Sequence, residues 1–220
     1  MTASHLLFSS SEFDNIEIIL LILMLTCLIT IFLLVFILVF QRQIQTFFEK
    51  KRSRKRTKAT DKEIIDFINN LAGTLAKLSY DKTGAIIVIE NRDNMDRYIR
   101  SGKRVNVPFF SEFVLTLFKN HNSPLHDGAM IVRDFMIVSL SSYLPMTKKV
   151  VPVKYGARHR AAFGICEYYD CFVFVVSETN GDITYSHNDE LYQLSSKPEG
   201  LVEQIQAILK RWSIYKNQVK

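Results

Sequence analysis

Asn122-Ser123-Pro124-Leu125-His126-Asp127-Gly128-Ala129 places a carboxylate beside an imidazole, between a proline and a glycine, directly ahead of the apolar run Met130-Ile131-Val132. A carboxylate in that setting can take or give a proton, and with a histidine it can hold a divalent cation. Gly128 allows the backbone to turn and leaves room for a ligand beside it. Asp-Gly between apolar runs is equally a common turn signal, so this stretch alone decides nothing. A second stretch, Gly156-Ala157-Arg158-His159-Arg160-Ala161-Ala162, brings two guanidiniums and another imidazole to the start of a helical segment. Forked donors added to free backbone N–H groups suit phosphate. A third, Ser177-Glu178, closes an apolar run. Separately these read as a turn, a solvated helix start and a surface strand end. Together they supply what a site for a metal-bound nucleotide needs, with His126 and Glu178 as candidate metal ligands beside Asp127.

The elements that must carry these loops follow from periodicity. Residues 61–80 read as an amphipathic helix capped by Thr60 or Asp61, with Ile64, Ile65, Ile68, Leu71, Leu75 and Leu78 at helical spacing. Core packing and self-association both account for that stripe. Thr83-Gly84 opens a continuous aliphatic run, 85–89, expected to be a buried strand. Val107-Pro108 is expected to start a helix through 109–119. Runs 129–132 and 136–140 form a hairpin around Arg133-Asp134, and Tyr143-Leu144-Pro145 leads into a longer loop. Residues 158–168 read as helix and 171–176 as a β-branched, aromatic strand. Asn180-Gly181-Asp182 turns into strand 183–185, and Pro198-Glu199 starts a terminal helix to about 212. The fold class expected is α/β, a mixed β-sheet flanked by helices, preceded by one transmembrane helix.

That last element rests on residues 18–40, which contain no charge. At about 1.5 Å per residue they span about 34 Å, enough for a hydrocarbon core of about 30 Å. The run is too long for a signal peptide, and it lacks both a basic segment before it and a small-residue cleavage site after it. Between residues 41 and 60, eight lysines and arginines face only Glu49 and leave +7, against +6 for the whole chain. The rest of the protein is therefore close to neutral, which argues against nucleic acid as a partner. The positive flank orients the chain with its C-terminal bulk in the cytoplasm, and it suits either topogenesis or anionic lipid head groups. The division expected is a short extracytoplasmic tail (1–17), the span (18–40), a basic juxtamembrane linker (41–60) and a cytoplasmic nucleotide-binding domain (61–220). Three cysteines, Cys27, Cys166 and Cys171, form no CxxC pair and fit free thiols in a reducing compartment.

The motifs Pro124-Leu125-His126-Asp127-Gly128-Ala129, Tyr143-Leu144-Pro145, Arg158-His159-Arg160-Ala161-Ala162 and Val176-Ser177-Glu178, with Thr83 to Glu90 as an opening strand, resemble the diadenylate cyclase family. The resemblance covers roughly residues 61–195, and with one span it looks like a membrane-bound branch. It implies condensation of two ATP into cyclic di-AMP, a bacterial second messenger, with release of two pyrophosphates and use of Mg²⁺ or Mn²⁺. It implies that Asp127 is the essential acid acting on the ribose 3′-hydroxyl, and that Gly128 and Ala129 let the backbone approach the nucleotide. Arg158, His159 and Arg160 match the phosphate-binding motif. Leu144 would line the adenine pocket with Tyr143 as a stacking neighbour, and Ser177 would lie against the nucleotide. It also implies catalysis across a homodimer, each domain supplying half of a two-ATP site. Two positions depart from the family pattern: Ala157 stands where threonine is common, and Thr179 where a second glutamate is common.

Three other readings fit parts of the chain. A nucleotide-binding sensor without turnover would follow from Ala157 and Thr179. A metal phosphohydrolase is suggested by the His-Asp dyad, but that dyad leads into a strand and lacks further ligands on helices. A membrane scaffold recruiting partners through its helices leaves the three polar loops unexplained.

Overall fold

A computed structural model describes residues 3–51, 59–120, 122–188, 190–210 and 212. The chain divides into two compact units, Met1–Phe48 and Glu49–Lys220. The described residues of the first belong to a single long helix, α1 (Ala3–Lys51). Within it, 26 residues from Ile16 to Gln41 are long and apolar enough to cross a membrane, and the side chains described there, Cys27 included, are exposed along their whole length. An almost entirely apolar surface of this kind has few solvent partners in water, and it fits a membrane anchor. Residues 52–58 of the basic segment expected to follow, with five of its eight cations, lie outside the described residues.

The second unit is the expected α/β domain. Its elements are α2 (Asp61–Tyr80), β1 (Ala85–Glu90), α3 (Asp96–Ile99), β2 (Lys103–Pro108), α4 (Ser111–Lys119), a 3₁₀ turn (Pro124–His126), β3 (Ala129–Arg133), β4 (Met136–Ser142), α5 (Ala157–Cys166), β5 (Cys171–Val176), β6 (Ile183–His187), β7 (Glu190–Leu194) and α6 (Pro198–Leu209). The strands form one mixed sheet of order β2-β4-β3-β1-β5-β6-β7. β1 runs parallel to β3 and antiparallel to β5.

The continuous apolar runs are explained by burial on both faces. Along β1, Ala85, Ile87 and Ile89 face one layer while Ile86 and Val88 face the other; along β5, Phe172 and Phe174 alternate in the same way with Val173 and Val175. The first layer holds α2, α4, α6 and Trp212, and the second holds α3 and α5. Trp212 stands edge-on to Phe135, with ring centroids 5.2 Å apart, and Phe67 packs against both. Helix α2 starts at a reciprocal cap: Thr60 N–H donates to the Glu63 carboxylate (2.8 Å) and Glu63 N–H to the Thr60 hydroxyl (3.3 Å). Of its apolar stripe, Ile65 is exposed instead, and Phe67 takes the inward place.

Two further expectations are corrected. Residues 103–108 form a strand, β2, so the following helix begins only at Ser111. Pro108 is tolerated because β2 is an edge strand and ends there. Residues 190–194 form the opposite edge, β7, where no strand was expected.

One buried ion pair fixes the far end of the sheet. Glu90 closes β1, and the β1–β3 register continues to place it beside Arg133 at the end of β3. Arg133 Nε lies 2.9 and 3.0 Å from the two Glu90 oxygens, and its Nη2 lies 2.6 Å from Glu90 Oε2 and 2.8 Å from Asp96 Oδ1. Glu90 also accepts the Met95 N–H through its side chain and the Trp212 indole N–H through its carbonyl. Although burial works against the charge on Asp96, the Arg133 bond and charge hold its carboxyl below the ordinary range. Arg133→Met takes the guanidinium away from a buried carboxylate, and its expected cost is about 3–5 kcal/mol. Denaturant unfolding of the detergent-solubilised chain, followed by fluorescence of Trp212, its single tryptophan, measures this. A loss below about 1 kcal/mol would contradict the role given to the pair.

Candidate functional site

The three polar loops meet at the opposite end of the same sheet. Register pairs Ile87 with Met130 and Ala85 with Val176. Extended by the residues just before β1 and β3, these ladders set Gly84 between Asp127 on one side and Ser177 on the other. At about 4.8 Å between strands, the Asp127 and Ser177 backbones stand about 10 Å apart across β1.

Asp127 is placed by its own loop. Ser123 caps the 3₁₀ turn by accepting the Leu125 N–H, and the Ser141 hydroxyl donates to the Pro124 carbonyl at 2.7 Å. The β3–β4 register shifts twice between Ala129 and Val132, and Ser141 has φ 51°. This bulge leaves space only for a glycine alongside: a Cβ on Gly128, whose φ is +87°, would sit 2.9 Å from the Ser141 backbone. The Asp127 side chain is exposed, with Oδ1 accepting the Gly128 N–H at 3.0 Å. Ala129 is buried as the first residue of β3. His126 Nδ1 lies 2.5 Å from the Ser123 carbonyl. A carbonyl can only accept, so Nδ1 carries the proton and a neutral ring has its lone pair on Nε2.

Arg158 reaches back over the centre of the sheet end. A Cβ on Gly84 would lie 2.8 Å from Arg158 Nη1 and 3.0 Å from Glu178 Cβ, so a larger residue there would push Arg158 aside. Arg158 Nη1 donates to Glu178 Oε2 at 2.7 Å. The two form one wall of a recess lined by Lys154, Gly156, Ala157, His159, Val176, Ser177 and Thr179 as well. The recess is about 80 Å³, far below the roughly 300–1,000 Å³ of a cleft that encloses a whole ligand. The first turn of α5 opens onto it, and its Gly156 cap makes no side-chain bond to the free N–H groups.

His159 and Arg160 are placed differently from Arg158. His159 is buried, with its ring 4.9 Å from that of Tyr155. Burial pushes its pKa down, helped by Arg158 and Lys154 and opposed by Asp182. The ring is therefore a neutral, positioned group at pH 7. Arg160 is exposed and outside the recess lining, since residues two apart on a helix do not share a face. Ser177 is half-buried and its hydroxyl accepts the Thr179 N–H. Leu144 packs against the α3/α5 side of the core while Tyr143 beside it is exposed. Their loop is clamped to α5: a Cβ on Gly164 would meet the Pro145 carbonyl at 2.1 Å, and Thr147 N–H donates to the Arg160 carbonyl.

Among the described residues no three His, Cys, Asp or Glu side chains come together as a metal cage. His126, Asp127 and Glu178 are thus not one preformed cluster, and Glu178 is engaged by Arg158. The donors present fit a hard cation held by one or two carboxylates jointly with a ligand's phosphates. Sequence reasoning passed over two groups at this site. Gly84 was seen only as a strand opener, and Lys154 was not singled out at all.

The geometry is that of a small recess carrying Arg158 and Lys154 at one end of a mixed α/β sheet. A family model described as DisA bacterial checkpoint controller nucleotide-binding matches residues 73–191. The diadenylate cyclase of Mycoplasma genitalium is 50% identical over 140 residues, covering 64% of this chain and 70% of that protein. The cyclic di-AMP synthase CdaA of Bacillus subtilis is 32% identical over 161 residues, covering 73% and 57%. The crystal structure of a cysteine double mutant of DacA from Staphylococcus aureus matches with a TM-score of 0.63 and 30% identity, over 69% of this chain and 98% of that one. This chain belongs to the diadenylate cyclase family.

Because His159 protonates less readily folded than unfolded, stability should fall as pH drops below its ordinary pKa of 6.5. The sign follows from proton uptake: in that window the unfolded chain binds the proton and the folded chain does not. Melting temperatures of the wild type and His159→Gln, taken between about pH 7.5 and 5.5, should diverge in slope, with the variant flatter. Parallel slopes would remove the buried neutral ring from the account.

Proposed function

We propose that the chain is a membrane-anchored diadenylate cyclase that condenses two ATP into cyclic di-AMP and two pyrophosphates. The observation that carries the reading is the alignment of Asp127, Gly84 and Ser177 on one sheet end with Arg158 crossing between them. Residues 61–220 would be the catalytic domain, 18–40 the span and 41–60 a basic linker. The excess of cations after the span supports a cytoplasmic catalytic domain.

Asp127, exposed on a rigid loop, would accept the proton of a ribose 3′-hydroxyl as that oxygen attacks the α-phosphate of a second ATP. The new 3′-O–P bond forms as the α–β bridging bond breaks, and pyrophosphate leaves. Repetition with the roles exchanged closes the ring. The recess is too small for a whole nucleotide, which supports a site completed by a second copy of the chain face to face. Arg158 would take phosphate oxygens in place of Glu178. An exposed ion pair is worth about 0–1 kcal/mol, whereas charge-assisted bonds from a guanidinium to phosphate are stronger, so the exchange is downhill. Leu144 would receive the adenine, with Tyr143 stacking over it, and Gly128, Ala129 and Ser177 would let the backbone approach the nucleotide. His159 would orient the helix as a neutral ring, and Arg160 would face charge on the outer side of α5. Asp127, His126 Nε2 and a released Glu178 would hold Mg²⁺ or Mn²⁺ together with the phosphates; bound there, the ion would offset negative charge on the reacting phosphates.

The test is to incubate the detergent-solubilised chain with ATP and Mg²⁺ or Mn²⁺ and to resolve products by chromatography. Cyclic di-AMP and pyrophosphate are expected. Asp127→Asn should lower turnover by at least about 10²-fold while ATP still binds. Unchanged turnover in Asp127→Asn removes that residue from its role. Binding without product would favour a sensor, and AMP or inorganic phosphate would favour a hydrolase.

A further inference from the structure

The recess holds a cation that nothing above assigns. Two guanidiniums were expected in the phosphate site, but only Arg158 lines it, and its charge is met by Glu178 at 2.7 Å. His159, buried, adds no charge. Lys154 is the other cation in the lining, is exposed, and among the described residues has no carboxylate within ion-pair distance. Its position is held from below. Lys154 Nζ sits 5.0 Å from the centre of the Tyr155 ring, the Tyr155 ring lies 4.9 Å from that of buried His159, and Tyr155 N–H donates to the Pro152 carbonyl. These contacts tie a flexible side chain to an aromatic neighbour that itself touches the first turn of α5.

The direction of the recess says which phosphate Lys154 meets. Asp127 and Gly128 lie just ahead of β3, on one side of β1, and neither lines the recess. The recess runs from Arg158, above Gly84, toward Val176–Thr179 on the β5 side. A nucleotide with its ribose at Asp127 therefore sends its phosphates away from β3, past Arg158.

From this we infer that Lys154 binds the terminal phosphates of ATP, and the pyrophosphate as it leaves, as the recess cation not already neutralised by a carboxylate. The inference rests on the nucleotide reading above and extends it to a residue that separates triphosphate from monophosphate.

The experiment titrates the full chain in detergent with a non-cleavable α,β-methylene ATP and, separately, with AMP. Lys154→Met should weaken the triphosphate by about tenfold and leave AMP within about twofold, which also shows the recess to be intact. The KM for ATP should rise by a similar factor with kcat changed less, and Lys154→Arg should restore most of the affinity. Equal losses for both ligands, or no loss for either, in a chain whose wild type makes cyclic di-AMP, overturn the assignment of Lys154 alone. A wild type that binds neither ligand overturns both this inference and the function on which it rests.

Discussion

Glu90 and Arg133 close adjacent parallel strands, and their paired charges lie inside the protein. Sliding β3 along β1 by one residue would reverse which side chains face which layer, and sliding it by two would part a buried carboxylate from its guanidinium. Hydrophobic strands buried on both faces specify register weakly by themselves, because either face accepts an aliphatic side chain. The ion pair supplies the missing specificity. The same register, carried six residues back along β1, sets Gly84 beside Asp127. A charge pair at the closed end thus determines which residues meet at the open end.

At the open end the chain uses glycine and backbone geometry where the closed end uses charge. Gly128 and the Ser141 bulge press the Asp127 loop against β4, Gly84 admits Arg158 over the sheet, and Gly164 lets the Leu144–Thr147 segment lie on α5. Each is a close approach in which a methyl group would collide with backbone or with a functional side chain. Groups that must meet a ligand are held this way on short loops, while the sheet beneath them supplies rigidity.

What the sequence revealed follows the same division. The central strands were legible because burial on both faces demands unbroken runs such as Ile86-Ile87-Val88-Ile89 and Cys171 to Val176. The edges were not. Lys103-Arg104-Val105-Asn106-Val107 and Glu190-Leu191-Tyr192-Gln193-Leu194 bury little, carry charge and pair on one side only, so their composition resembles loop. Ile65 was assigned inward because periodicity cannot separate neighbours at the rim of a helix face, and Phe67 won that place by packing with Phe109 and Trp212. The Asp127, Arg158 and Ser177-Glu178 motifs were legible as chemistry. That Arg158 and Arg160 part company was implicit in a helix starting at Ala157, whereas the place of Lys154 depended on the path of an irregular loop.

Charge accounting at the recess explains how cations can gather there stably and still be open to an incoming anion. Two facing cations with nothing between them would repel and favour a disordered loop. Here Glu178 quenches Arg158, burial keeps His159 neutral, and the Lys154 ammonium rests on an aromatic face where it keeps much of its hydration. Each arrangement costs little to undo, because the ion pair is open to water and the ammonium is not desolvated. An incoming anion can then take the place of the carboxylate without first breaking a strong bond. The closed end of the sheet shows the opposite choice, with its carboxylate buried and multiply bonded, where exchange would cost stability. Acidic residues facing arginines at the two ends of one sheet thus differ in role through solvent exposure.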